Sequence, residues 1–572
     1  MRELYERSLE AACNFLDYYQ RHRVKDKNNP KIGLFPYANM LFEDAVDTSA
    51  VETCAMLYTN PDNKYYKDER MLDMILEVCP LVEEKLINDD GTTNQMTSNF
   101  HSPAMFVMGR LAEVCLEVRN GMSGNDKERK TFDAMVHLAA RYAEGSMTSG
   151  FHTPNHRWVE TASLYMLYNL IGDERYKTKA DKYHAEGLDI DEYGEYSERS
   201  AGMYNEIMNS ALLMAHKTGR MPEALDAVHR NLRMMEYYVD DGNDVFSQNS
   251  RRTDKGERGT VAGFYKGAQY HLTQYYYNLI ETAYLTGDLK LAKLAKIASE
   301  KGITQGLGTP ANIYLFSRHP ELKDWEPDLS KVELIGDYEH YQPKSNIVRK
   351  RTDGAVCSII AKNPSFLFIR NRGIDINVRM CSSFFAIGQF EPETMEKTEN
   401  GYRMSCHAEC DYKLPFDVPP ENSRDYWSMD YKSRKSIGKQ ELDYTVDFVF
   451  VEGGVDMHIR AGSCDGVPFK LEMGVNTGKL LEIGRSASML TTAGNYIFAR
   501  EGFRISDMNT LSFVSFEGLG CRHIYADNMR GGTPAQTDRQ TVYFTDYTPV
   551  DKVVKIRYGL LDEPANYYAE QV

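Results

Sequence analysis

The chain has 572 residues, more than one compact core normally organises, so two domains are expected. Against 67 Lys plus Arg stand 83 Asp plus Glu, a formal charge of −16, which argues against wrapping nucleic acid or docking on an anionic membrane. With 42% hydrophobic and 26% charged residues and no run of 18 apolar residues, the composition is that of a globular protein without a membrane-inserted helix.

An acidic ligand is still compatible with this charge, because a local basic pocket outweighs the global sum within a Debye length of about 10 Å. The 38 tyrosines and 24 phenylalanines against 3 tryptophans suit sugar-lined clefts, and equally suit ordinary packing. The first residues, MRELYERSLEAACNFLDYY, are amphipathic and charged and lack the apolar centre of a signal peptide. The expectation is a cytoplasmic protein, or a periplasmic or secreted one from which a leader was removed. Ten cysteines at 13, 54, 79, 115, 357, 381, 406, 410, 464 and 521 are too dispersed for a disulfide framework, and most are expected as buried free thiols.

In chain order, apolar positions recur at helical spacing over 1–22, 44–58, 67–86, 103–118, 131–142 and 159–171. They continue over 173–184, 200–216, 222–239, 261–285 and 289–302. The pairs Gly172-Asp173 and Gly287-Asp288 read as the end of one helix and the start of the next, the punctuation of antiparallel helix pairs. About a dozen such helices without a fixed repeat period predict a helical toroid or superhelix. From about Asn346 the pattern changes to short alternating runs at 355–361, 365–371, 444–452 and 455–461, followed by NYIFARE, TLSFVSFE, TVYFTDYT and KVVKIRY. These predict an antiparallel β-sandwich. The fold class is therefore α+β and multidomain: an N-terminal (α/α) toroid over 1–315, a proline-bearing connector over 316–345, and a β-sandwich over 346–572. The polar stretches 391–401 and 415–439 are expected as long loops.

The chemistry concentrates in two windows. TPNHRWVET at 153–161 offers Asn155 and His156, and DEYGEYSERSAGMYN at 191–205 offers Tyr204. An amide to bind a carboxylate, an imidazole to take a proton and a phenol to give one are the parts that β-elimination at a uronic acid requires. Each has a plainer reading: Asn155 suits a helix cap, His156 beside Trp158 suits packing, and Tyr204 suits the buried face of a helix. His101, in TSNFHSPAM, is another helix-start histidine that could face a cleft. No glycine-rich phosphate loop, GxSxG or HExxH occurs, so nucleotide hydrolysis, serine esterase and zinc protease chemistry lack support.

Toroid followed by sandwich, with these two windows, resembles the toroid-plus-sandwich polysaccharide lyases, among them the oligoalginate lyases, heparinase II and the chondroitin AC-type lyases. The resemblance implies that Asn155 and His156 stand where the oligoalginate branch has its Asn-His pair, and that Tyr204 is the helical tyrosine. FSQNSRRTDKG at 246–256 looks like the arginine-bearing strand-like loop that lines the cleft in these enzymes. One departure concerns the tyrosine: Asp191 is followed by Glu192, with glycine deferred to 194, so Tyr196 or Tyr193 are alternatives to Tyr204. Implied substrate contacts are His101, Trp158, Arg199, Arg251 and Arg252, the arginines for bidentate carboxylate recognition. His156 would act as base if neutral or hold the carboxylate if protonated.

The resemblance implies no cofactor for the chemistry. Some relatives carry a structural zinc held by His and Asp, for which His407, Asp425 and His458 are the candidates here. Cys406 and His407 would point to opposite faces of a strand, which argues against a compact ligand set from that stretch. The function implied is cleavage of a 4-linked uronate glycan to an unsaturated uronide, with exo-action if the long loops close one end of the cleft. Alginate, glycosaminoglycans, ulvan-like chains and rhamnose-capped glucuronates all qualify as the acidic substrate. An inverting glycoside hydrolase using two of Glu160, Glu195, Glu198 and Glu206 is the rival, and a non-catalytic glycan-binding protein the third reading.

Overall fold

The helical half builds itself from paired helices whose turns are written in the sequence. Gly172 adopts φ +82°, which only glycine takes without strain, and closes one helix; Asp173 then caps the next by accepting from the Arg175 N–H. Gly287 (φ +74°) and Asp288 repeat the device.

The computed structural model describes residues 1–29, 32–33, 48–93, 102–240, 243–255, 271–302, 313–422, 424–484, 487–526 and 529–561. Among these, the helices are α1 Arg2–His22, α2 Ser49–Thr59, α3 Glu69–Leu86, α4 Ser102–Val118, α5 Asp126–Thr148 and α6 Pro154–Ile171. They continue with α7 Glu174–Ala185, α8 Tyr204–Lys217, α9 Glu223–Met235, α10 Tyr276–Thr286, α11 Leu289–Gly302 and α12 Ile313–Arg318. Helices α2, α4, α6 and α8 pack in succession as an inner row, and α3, α5, α7 and α9 pair with them outside. That is an (α/α) toroid. α6 shows its inner position in burial: every residue from Arg157 to Leu167 is buried, as expected of a helix covered all round. None of the described helices is long and apolar enough to cross a membrane.

Helix ends differ from the expected ones where polar residues carry the signal. α5 begins five residues before its apolar stretch, because Asn125 and Glu128 form a reciprocal capping box at its start, and ends six residues beyond it. α6 begins at Pro154, ahead of its first apolar residue, and α8 begins only at Tyr204, after a turn over 200–203.

The chain separates into two compact units, Met1–Leu334 and Ile335–Val572. The second holds two sheets. The eight-stranded sheet runs, in spatial order, Tyr338–Gln342, Ile347–Thr352, Ala355–Ile360, Ser365–Asn371, Ile374–Ser382, Pro468–Val475, Gln540–Tyr547 and Tyr496–Phe498. The nine-stranded sheet runs Ala487–Leu490, Leu480–Ile483, Phe503–Asp507, Ser512–Glu517, Val550–Leu560, Gly454–Gly462, Ser436–Val451, Gly401–Lys413 and Met395–Thr398. Pairing is antiparallel throughout except for Tyr496–Phe498 against Gln540–Tyr547. Alternating residues from both sheets, including Val348, Phe366, Met404, Phe448, Leu471 and Phe544, form one shared core. The expected loop at 391–401 is largely a hairpin arm, since Met395–Thr398 pairs with Gly401–Lys413. The second loop is shorter than expected, because Ser436 already pairs with Lys413. All ten cysteines are free thiols; six are buried, whereas Cys406, Cys410, Cys464 and Cys521 are partly accessible.

Candidate active site

The site assembles where the first turns of α6 and α8 meet the turn over 246–255. Pro154 opens α6 at its first position, and the N-cap Thr153 makes no capping bond with its side chain, so the first turn needs another acceptor for its N–H groups. Glu198 supplies it. Its carboxylate accepts from the Asn155 backbone N–H at 3.4 Å and from the Asn155 side-chain amide at 2.9 and 3.0 Å. A carboxylate at a helix N-terminus is favoured by the backbone dipoles as well as by these bonds. The same carboxylate pairs with the Arg252 Nη1 at 2.5 Å. The carbonyl of Glu198 also accepts from the Arg251 N–H at 3.1 Å, so backbone and side chain both fasten the two segments together.

Arg252 then lies over the Tyr204 ring, its guanidinium carbon 4.0 Å from the ring centre, a cation–π contact. The Tyr204 phenol is 3.3 Å from the Thr253 hydroxyl, and the Tyr204 N–H donates to the Ser200 Oγ at 2.9 Å. Behind them Asp254, almost fully buried, accepts from the Gly202 N–H at 3.0 Å and from the Ser250 hydroxyl. The 246–255 segment is thus a compact hydrogen-bonded turn where a strand-like loop was expected.

Of the three expected arginines, Arg252 reaches Glu198, and Arg199 and Arg251 lie near each other. Arg199 sits in the left-handed region at φ +52°, and its pKa is lowered first by burial and then by Arg251. Arg251 donates to the Ser197 carbonyl at 3.3 Å.

His156 is mostly enclosed, with its ring edge-on to Phe106 (5.7 Å) and to His152 (4.6 Å). Burial, then repulsion from His152 and Arg252, lowers its pKa from 6.5 to about 4. At neutral pH the imidazole is uncharged, which fits a proton acceptor and not a cationic carboxylate anchor. Glu206, two residues beyond Tyr204, is pushed by desolvation to about 7 against the lowering effect of the Ser210 hydroxyl, which donates to it at 2.9 Å.

Other expectations meet a different outcome. Asn155 is at the second position of α6, not its cap; it is fully buried, and its amide hydrogens point at Glu198 and Thr153 instead of outward. Among the described residues, no group bonds its Oδ1. Trp158 is 1% exposed, with its indole N–H donating to Asp189 at 2.9 Å and Arg157 stacked on its ring, so it is a core residue that offers no face to a sugar. His101 lies outside the described residues. Tyr196 is buried and donates to Asn209 at 2.8 Å, whereas Tyr193 is partly exposed in a turn.

Of the carboxylates proposed for hydrolysis, Glu160 is buried against Lys179 (2.8 Å) and Glu195 is buried and accepts from Tyr238 and Asn249. The zinc set is not assembled. His407 pairs with Asp443, Asp425 closes its own turn with Trp427 and Ser428, and His458 pairs with Asp551. His407 and His458 face Asp443 and Asp447 of the intervening strand, four residues apart, or about 13 Å along it. His407, Glu409 and Glu441 do cluster on the surface, but Lys439 already bridges the two glutamates at 2.8 and 2.7 Å.

The sequence reading missed His152 as a neighbour of His156 and Glu198 as the hub of the site. Four residues separate the two histidines, a spacing that could have revealed the pair; no local signal marks Glu198.

No known family profile matches the sequence, and no curated protein matches it. Its fold does have counterparts. The chondroitin AC lyase of Streptomyces coelicolor A3, in complex with chondroitin sulphate, superposes with a TM-score of 0.54 at 12% identity, over 98% of this chain and 80% of that one. The heparan sulfate lyase HepC from Pedobacter heparinus gives 0.52 at 8% identity, over 96% and 83%. A Paenibacillus xanthan lyase gives 0.54 at 10% identity, over the whole of this chain but 58% of its own. This chain therefore shares the toroid-plus-sandwich architecture of those enzymes, as its sequence pattern led one to expect.

Proposed function

We propose that the protein is a polysaccharide lyase that cleaves a 4-linked uronic acid glycan by β-elimination. The observation that carries this reading is the position of Arg252, which lies on the Tyr204 ring and also acts on the uncharged His156. The shared architecture with lyases of acidic polysaccharides adds to it, although fold by itself does not assign chemistry.

In the mechanism, a uronate carboxylate lies against Arg252, with Arg251 and Arg199 adding to the field. Their charge offsets the extra negative charge that develops when the C5 proton leaves. His156 takes that proton. Electrons from the C5–H bond form the C4–C5 double bond, the C4–O4 bond breaks, and Tyr204 protonates the departing oxygen. Asn155 contributes by holding Glu198 and, through it, Arg252.

The test is near-ultraviolet absorbance during incubation with alginate, glycosaminoglycans, ulvan-like chains and rhamnose-capped glucuronates. The wild type is expected to generate an unsaturated product from one of them, and Tyr204→Phe to lose on the order of 100-fold or more in rate. New reducing ends without absorbance would favour the second reading, a hydrolase, for which Glu206, with its pKa raised by desolvation to about 7, is the candidate acid. Binding without turnover would leave a glycan-binding protein. Exo-action on short chains is part of the proposal, and an early fall in polymer viscosity would overturn it.

A further inference from the structure

Glu198 has an environment that the elimination chemistry does not itself call for. It is a carboxylate, 4% exposed, surrounded by a side-chain amide, a helix N-terminal N–H and a guanidinium. Those are the donors that recognition of a uronate carboxylate requires, and here they are engaged by a residue of the chain. Asn155 is committed in the same way. Its amide cannot be turned without setting Oδ1 against the Glu198 carboxylate, so its N–H groups stay on Glu198.

We propose that Glu198 is a positioning residue that holds Asn155 and Arg252 as the glycan's carboxylate would, and that it competes with that carboxylate for them. The proposal rests on the reading of this site as one for a uronate glycan. Its physical content is a division of labour. One arm of Arg252 is fixed on Glu198 at 2.5 Å, which keeps the guanidinium over the Tyr204 ring at 4.0 Å. The remaining arms meet the substrate, whose negative charge is repelled by Glu198 until the transition state puts more charge on the uronate and strengthens its hold on the arginine. Such an arrangement weakens ground-state binding and spares the interaction for the step that needs it. The uncharged His156 feels Arg252 as well, and the Arg251 N–H donates to the Glu198 carbonyl.

A residue that only supports the fold and one that competes with the ligand predict opposite signs. In a Tyr204→Phe background, which does not turn over, calorimetry would measure binding of an oligouronate and of its carboxyl-reduced counterpart, with and without Glu198→Gln. Removing the competing charge is expected to tighten the oligouronate about 5- to 10-fold and leave the reduced sugar unchanged, while the otherwise wild-type Glu198→Gln enzyme loses at least about 10-fold in kcat. Weaker or equal oligouronate binding by a variant with an unaltered melting temperature would overturn the proposal, and so would equal tightening of the reduced sugar or no binding by any form. Should Glu198→Gln fail to fold, Arg252→Gln in the same background is expected to weaken the oligouronate about 10-fold and spare the reduced sugar; no difference would overturn it. Absence of any unsaturated product from the wild type would sink the lyase reading, yet the sign of the binding change would still stand or fall separately.

Discussion

Replacing Glu206 with glutamine should make the protein more stable at alkaline pH, by an amount the structure sets. Glu206 stands in the first turn of α8, closely surrounded, with the Ser210 hydroxyl as its hydrogen-bonding partner and the buried Tyr275 nearby. Desolvation raises its pKa from 4.5 to about 7, so the folded protein holds this proton more tightly than the unfolded chain does. The contribution to stability is full below pH 4.5 and is lost as pH rises through 7. A difference of that size corresponds to about 3 kcal/mol at pH 8, trimmed somewhat because the residue is not wholly sealed from solvent. Glutamine keeps the shape and can still accept from Ser210 without acquiring a charge. Urea denaturation of wild type and Glu206→Gln from pH 5 to pH 8 should therefore give similar stabilities at the acid end and a growing advantage for the variant toward the alkaline end. Parallel curves across that range would refute the assignment, and with it the idea that a protonated carboxyl stands beside Tyr204 at neutral pH.

The imidazole of His156 is expected to stay neutral from pH 8 down to about 5, so that NMR of its ring in the Glu206→Gln background shows protonation only near pH 4; a transition near 6.5 would contradict its burial beside His152 and Arg252. Substituting His152 with alanine removes one source of repulsion and should move that transition upward. Trp158→Ala should cost about 3–5 kcal/mol in chemical denaturation, the range for emptying a large core site, whereas a loss below 1 kcal/mol would be incompatible with its complete burial against Arg157 and Asp189.

Much of the architecture could be read from periodicity, because periodicity is what packing imposes on a chain. The inner helix α6 shows why its first turn could not be: Asn155, His156 and Arg157 are polar, and their helical state depends on Pro154 at the first position and an anion supplied from residue 198. The Gly401–Lys413 strand was obscured for a related reason. Its accessible face carries Ser405, His407 and Glu409, so only half of its residues announce a sheet. The zinc candidates failed on register: sequence spacing placed His407 and His458 on neighbouring runs, but only the pairing through the strand between them reveals their separation.

The same limit explains the candidate-site residues. Asn155, His156 and Tyr204 stood out because their side chains are chemically distinctive, yet the states of Asn155 and Tyr204 are decided by partners more than forty positions away. Glu198 lies 43 residues from Asn155 and 54 from Arg252, and no local pattern joins the three. As one acid among several it read as a candidate for hydrolysis; enclosed by an amide, a helix N-terminus and a guanidinium, it has neither the access nor the freedom to move a proton. The rival mechanisms therefore come apart at this residue. Hydrolysis needs Glu198 or a neighbour to act on the sugar directly, whereas the proposed elimination asks of it only that it hold Arg252 against Tyr204, and Glu198 is bonded to Arg252.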